Sequence, residues 1–323
     1  MTAGPAIGSD VRISAISVII PAYRRPAYLR AAIESAANQS LPPFEIIVID
    51  DGATLPADFS PQSIPPGINL QIHSIPHAGQ AGARQAGFEL SRGEFVLFLD
   101  DDDTLHPDAL ATLHAMYDRE PELIAAVGAA ETIGVDGVPS GHVNRPPGEI
   151  GSADLWRGNQ IATPGCVLIR RWAIAAAGGW DLESRNATDY LLWMKLARVG
   201  RIAGTEQIVL RYRWHPDNET ARGHQFLQLR AFRKVFRKTF PELAASDIED
   251  SVVTSLIEPY IHPAIEHWRA LIRERRWGDA AGHGVRIIDG MSVSVTGRQG
   301  RRAVIDALAL WRPKWLRRSL SES

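Results

Sequence analysis

Phe95-Val96-Leu97-Phe98-Leu99-Asp100-Asp101-Asp102-Asp103 is the stretch from which the rest of the chain is read. The apolar half has the composition of a strand buried on both faces, and the carboxylates arrive together at its C-terminal end. Two unit charges 4 Å apart repel by about 1 kcal/mol in water and about 4 kcal/mol at an effective dielectric of 20, so the cluster asks for a counter-charge. Oxygen-only donors suit hard divalent cations such as Mg2+ or Mn2+, which in turn hold phosphate oxygens. The competing reading is a solvated acidic turn, with Asp103 or Thr104 capping a helix that begins around Pro107-Asp108-Ala109-Leu110.

Working outward, the pattern is one of alternating strands and helices. Ile16-Ser17-Val18-Ile19-Ile20 is a β-branched run ended by Pro21. From Pro26 to Gln39, Tyr28, Leu29, Ala32, Ile33 and Ala36 recur at helical spacing, with a proline at the start. Phe44 to Ile49 reads as a second strand closed by Asp50-Asp51-Gly52, and Asn69 to Ile75 as a third. Ala81 to Leu90 reads as a helix that leads into the strand at Phe95. This order predicts a largely parallel, doubly wound sheet with helices on both faces. In such sheets ligands bind beyond the carboxyl ends of the strands, where Asp50-Asp51 and Asp100 to Asp103 both fall. Taken alone, Asp50-Asp51-Gly52 is an acidic turn; paired with the second cluster, it points to a nucleotide site.

Further along, Ala125 to Pro139 is expected to be a strand and hairpin around Asp136-Gly137, and Gly165 to Ile169 another strand. Asp189 to Val199 is expected as a helix, Ile208 to Trp214 as a strand and Gln225 to Phe240 as a basic helix. After Pro241 the composition predicts helix to the end.

Composition excludes several classes. A chain of 323 residues with 45% hydrophobic and 22% charged content is ordinary for a soluble globular protein. A formal net charge of -2 gives no general pull toward nucleic acid. Cys166 is the only cysteine, so neither an intrachain disulfide nor a cysteine-rich metal site can form. Met1 to Ser14 does not read as a secretory signal, and no apolar run approaches the roughly 18 residues that span a bilayer. A cytoplasmic protein is the default expectation.

The ordered motifs Ile16 to Tyr23, Ile47-Val48-Ile49-Asp50-Asp51-Gly52, Gly82-Ala83-Arg84-Gln85-Ala86-Gly87 and Gly93-Glu94-Phe95 to Asp103 resemble the family 2 glycosyltransferases. The similarity covers about residues 13 to 120. It continues through Gly178-Gly179-Trp180-Asp181 and Thr188-Asp189-Tyr190-Leu191-Leu192-Trp193 to about residue 220. The resemblance implies an α/β GT-A fold over residues 13–240, after a flexible 1–12 and before a helical extension at 241–323. It also implies an inverting transfer from a nucleotide-diphosphate sugar, with a UDP-sugar the expected donor and a saccharide or lipid-linked hydroxyl the acceptor.

On that resemblance, Pro21, Ala22, Tyr23 and Arg24 line the base and ribose, and Asp50, beside Asp51, accepts from the base. Arg84 meets the nucleotide from the start of its helix. Asp100 and Asp102 form the family's Asp-x-Asp pair, with Asp100 near the ribose beside Asp101 and Asp102 on the metal. Asp189 is the expected general base; the family usually has Glu-Asp where this chain has Thr188-Asp189. His215 is a second candidate metal ligand, and Trp180 and Asp181 are expected on the acceptor side. Two other functions fit the same motifs: a sugar nucleotidyltransferase and a non-catalytic nucleotide-sugar-binding protein. The first would carry a Gly-rich basic loop where this chain has Pro21-Ala22-Tyr23-Arg24-Arg25.

Near the C-terminus, Arg298, Arg301, Arg302, Arg312, Lys314, Arg317 and Arg318 surround Leu308, Leu310, Trp311, Trp315 and Leu316. A helix of this kind suits peripheral contact with an anionic membrane face, or packing on the catalytic domain.

Overall fold

In the computed structural model, residues 15–57, 59–60, 64–157, 159–183, 188–215, 218, 239–241 and 273–274 are described. The elements in chain order are β1 (Ile16–Ala22), α1 (Pro26–Ala37), β2 (Glu45–Asp51), β3 (Asn69–Ile75), α2 (Gly79–Leu90), β4 (Phe95–Phe98) and β5 (Thr104–Leu105). There follow α3 (Ala109–Arg119), β6 (Leu123–Ile133), β7 (Pro139–Asn144), α4 (Ser152–Arg157), β8 (Val167–Arg170), α5 (Arg171–Ala176), α6 (Thr188–Val199) and β9 (Arg201–Arg213). The expected basic helix at 225–240 and the helical extension at 241–323 lie outside the described residues, apart from 239–241 and 273–274.

The strands form one sheet in the order β3-β2-β1-β4-β8-β6-β9-β5, with β7 paired to β6. β3, β2, β1 and β4 run parallel. β8 enters antiparallel between β4 and β6, and β9 returns parallel to β6. The path from β1 steps outward to β2 and β3, then crosses back to β4 on the other side of β1. Parallel crossovers are right-handed, so α1 and α2 lie on opposite faces and the sheet has its switch point between β1 and β4.

Every residue of β1, β2 and β4 is buried, as continuous apolar runs covered on both faces require. α1 buries Leu29, Ala32, Ile33 and Ala36, the stripe its spacing predicts. α2 comes unusually close to β1: a Cβ on Gly87 would stand 2.3 Å from Ile19 Cγ2, so only glycine fits there. β1 continues beyond the proline expected to end it. Ile19 accepts a hydrogen bond from Leu99 N (2.9 Å) on the β4 side. Pro21, two residues on, turns the same way after β4 has ended at Phe98, so its missing N–H leaves no ladder bond unmade.

The residues cluster into two units. The first comprises the described residues within Met1–Ile150, Ile161–Trp180 and Leu196–Arg213; the second, those within Gly151–Gln160, Asp181–Lys195 and Trp214–Ser323. In the second, Tyr190 donates its hydroxyl to Leu155 O, and His215 N donates to Asn218 Oδ1 at 2.5 Å.

Candidate functional site

Beyond β4 the chain turns sharply, with Asp103 N donating to Asp100 O at 3.1 Å. The run is not a solvated turn, because Asp101, Asp102 and Asp103 are buried. Nor does it cap a helix: α3 begins at Ala109 without a side-chain cap. Each carboxylate has a separate environment. Asp100 Oδ1 lies 2.5 Å from Arg84 Nη2, and its Oδ2 accepts from Thr163 Oγ1 at 3.3 Å. Asp101 Oδ2 accepts from Tyr23 N at 3.0 Å, and its Oδ1 lies 2.6 Å from Arg25 Nη2. Arg25 Nη1 pairs with Asp102 Oδ2. Asp103 Oδ1 accepts from Arg213 N at 2.9 Å, while its Oδ2 is buried without a hydrogen-bond partner among the described residues.

Part of the counter-charge that these carboxylates require is therefore internal. Burial pushes the Asp101 carboxyl up to about 7, with Arg25 pulling it down and Asp102 adding to the rise. Burial raises Asp103 well above the usual carboxylate range, reinforced by Asp102 and Asp100.

The other strand ends reach the same edge of the sheet. Ala22 of β1 stands in register with Asp50 of β2, and Tyr23 follows directly. Asp50 accepts from Thr54 N (2.7 Å), Thr54 Oγ1 (3.0 Å), Leu55 N (3.3 Å) and Ser74 Oγ (3.2 Å). It thus holds the turn in which Gly52 has φ +101° and Ala53 φ +52°. Asp51 reaches across to α2, accepting from Ala78 N (2.6 Å) and Gly79 N (3.0 Å) at the positive end of that helix. His77 Nδ1 lies 2.8 Å from the same carboxylate, and its ring stacks on Tyr23 at 4.7 Å. The Arg24 guanidinium covers the Tyr23 ring at 4.9 Å from a residue held at φ +58°.

Two sequence expectations change. Arg84, expected to meet the nucleotide from the start of its helix, lies in the middle of α2 with its side chain 2% exposed, tied to Asp100 and set 4.8 Å from the centre of the Trp180 ring. Trp180 presents no open face to an acceptor sugar, because Arg84 covers the ring, Phe98 packs edge-on at 5.0 Å and the residue is buried.

Asp181, Asp189 and His215 belong to the second unit and are described there. Asp181 accepts from Glu183 N at 3.0 Å. Burial pushes the Lys195 amine down, opposed by Asp181. Asp189 lies in the first turn of α6, where the helix dipole favours a carboxylate. His215 is buried.

Sequence reading missed Arg25, Arg213, His77 and Thr163. Arg213 clasps the acidic loop by donating from Nε to Asp102 O at 3.0 Å and from Nη1 to Gly134 O and Val135 O at 3.2 Å each. It is 110 residues from Asp103, so no local spacing announces it. Arg25 did carry a signal, as a cation next to the helix-starting Pro26, but its partners were visible only in three dimensions.

A doubly wound sheet with aspartates gathered at the ends of β2 and β4 is the GT-A architecture of glycosyltransferases. Residues 17–176 match the model described as Glycosyl transferase family 2, and through that segment the chain belongs to the family. A chondroitin synthase of Pasteurella multocida is 28% identical over 213 residues, which is 64% of this chain and 21% of the synthase. The minor teichoic acid biosynthesis protein GgaA of Bacillus subtilis is 37% identical over 112 residues, 31% of this chain and 24% of that protein. The chain thus spans about a fifth of the synthase and about a quarter of GgaA. The solved structure of S. aureus TarS 1-349 in complex with UDP superposes with a TM-score of 0.58 at 19% identity, covering 90% of this chain and 88% of that one. At that identity the likeness speaks for the fold. Among the described residues no helix is long and apolar enough to cross a membrane.

Proposed function

We propose that this chain transfers a sugar from a UDP-sugar to an acceptor hydroxyl, with inversion, during synthesis of a polysaccharide or teichoic-acid-type glycan. The observation that carries the reading is the meeting of Tyr23 with Asp101, beside Asp50, at the switch point between β1 and β4. UDP in the TarS complex supports the choice of nucleotide, and the synthase and GgaA support the class of product.

A divalent cation suits this site. Its donors are hard carboxylate oxygens with some exposure, 15% for the Asp100 side chain and 8% for that of Asp102. Among the described residues, no group of three or more His, Cys, Asp or Glu side chains is placed to hold a metal ion, so a Mg2+ or Mn2+ held here would draw the rest of its shell from substrate phosphates and water. Asp102 is the proposed protein ligand. A bound cation would offset the charge that grows on the leaving diphosphate.

The chain's own residues divide the remaining work. Tyr23, Arg24 and His77 form a stack beside the nucleotide base, and Asp50 keeps the adjoining turn in place. Asp189 takes the proton from the acceptor hydroxyl as that oxygen bonds to the anomeric carbon and the bond to the diphosphate breaks. It stands in the first turn of α6, and a carboxylate is an adequate base when proton loss is concerted with departure of the diphosphate. Release of UDP from a panel of UDP-sugars, with Mn2+ and saccharide acceptors, tests the reading. Asp189→Asn is expected to abolish release while calorimetric binding of UDP stays within about twofold, since the substitution removes a base and no predicted donor contact. Turnover retained in that variant removes Asp189 from the chemistry.

A further inference from the structure

Arg25 precedes the first residue of α1 and spans two neighbouring carboxylates with one guanidinium, Nη2 on Asp101 and Nη1 on Asp102. Its side chain is 30% exposed, whereas those of Asp101 and Asp102 are 2% and 8%. The arginine is therefore the solvent-side member of the group, and a cation approaching Asp102 encounters a positive charge already seated on that carboxylate. We propose, building on the donor-site reading above, that Arg25 is a resident counter-ion which competes with the divalent cation for Asp102. In the donor-free protein it neutralises the Asp101–Asp102 pair. A cation gains Asp102 only as Arg25 releases it, and the freed guanidinium is then offered to the diphosphate.

The physical argument concerns charge balance. A divalent cation arriving alone places two positive charges beside Arg25, at a site where Arg84 and Arg213 also contact the acidic loop. A cation that arrives with a doubly negative diphosphate leaves the local charge unchanged. Arginine also suits the exchange, because its planar fork matches carboxylate and phosphate oxygens equally well. Cation and nucleotide should therefore bind synergistically, and Arg25 should be the source of much of that synergy. The role is one of positioning and selectivity; it requires no proton or group transfer at Arg25.

The test measures free Mn2+ by electron paramagnetic resonance during titration of the full chain, without and with UDP. Wild-type protein is expected to bind Mn2+ weakly alone and at least about tenfold more tightly with UDP, as removal of a nearby unit charge implies. Arg25→Gln is expected to bind Mn2+ alone about tenfold more tightly than wild type, and the enhancement by UDP should shrink by about the same factor. Arg25→Lys keeps the charge but cannot span both carboxylates, so it should gain about threefold, and it serves if the glutamine variant does not fold. Unchanged Mn2+ affinity in the folded variants overturns the proposal. Wild-type protein that binds UDP but no Mn2+ at all instead overturns the cation part of the donor-site reading, and loss of UDP-dependent Mn2+ binding in Asp102→Asn confirms where the cation sits.

Discussion

Arg84 Nη2 lies 2.5 Å from Asp100 Oδ1, with the guanidinium almost wholly enclosed between that carboxylate and the face of Trp180. The pair joins α2 to the end of β4, so helix packing and the geometry of the acidic loop are mechanically linked. Removing one member of a buried pair strands the other charge, a loss of roughly 3–5 kcal/mol. Arg84→Met, which keeps the length, is therefore expected to lower stability by about 3 kcal/mol in urea unfolding. Arg84→Lys should lose less, yet still fall below wild type because an ammonium cannot cover Trp180 and reach Asp100 in the same way. Unfolding midpoints identical to wild type would show the pair to be energetically idle.

Asp103 sets a dependence on pH. It is fully buried, and its Oδ2 has no hydrogen-bond partner among the described residues. Burial, then Asp102 and Asp100, raises its folded pKa above the unfolded value of about 3.9. The native state therefore holds a proton that the unfolded chain has released, and stability falls as pH rises from about 4 through the folded pKa. Asp101, raised to about 7 by burial, adds a decline in the same direction. Asp103→Asn imitates the protonated acid at every pH. Its melting temperature should fall less than that of wild type between about pH 4.5 and 8, measured at constant ionic strength. Parallel curves for the two proteins would contradict a raised pKa at this position.

Gly87 marks the closest approach of α2 to the sheet. An added methyl would stand 2.3 Å from Ile19 Cγ2 and 3.3 Å from Ile49 Cγ1. Alanine gains about 1 kcal/mol of helix propensity over glycine, but overpacking a filled core costs about 1–3 kcal/mol. Gly87→Ala is expected to be destabilising on balance, and less than additive with Ile19→Ala, which vacates the space. Full additivity in chemical denaturation would mean that the two sites do not touch.

The N-terminal half was legible because β1, β2 and β4 are near-continuous apolar runs, β3 alternates apolar and polar residues, and the helices bury stripes at the expected spacing. Ile16 to Ile20, Asn69 to Ile75 and Phe95 to Phe98 needed no tertiary information, and the sequence motifs placed the aspartates at strand ends. Pro21 misled because a lost ladder donor matters only where a neighbour strand is present to receive it. Arg84 and Trp180 are residue types that often face ligands, and only packing shows that here the guanidinium lies against the indole ring.

By itself, then, the sequence determined the order of strands and helices up to β4 and the family, since hydrophobic periodicity and local motifs act over a few residues, whereas β5, α4 and α5 were not legible in it. Which hydrogen-bond or ion-pair partner meets each carboxylate was decided only by the tertiary structure. Arg25 is 77 residues from Asp102, Thr163 63 residues from Asp100 and Arg213 110 residues from Asp103. Electrostatic pairing depends on distance and burial in space, and neither quantity is written in the spacing of residues along the chain.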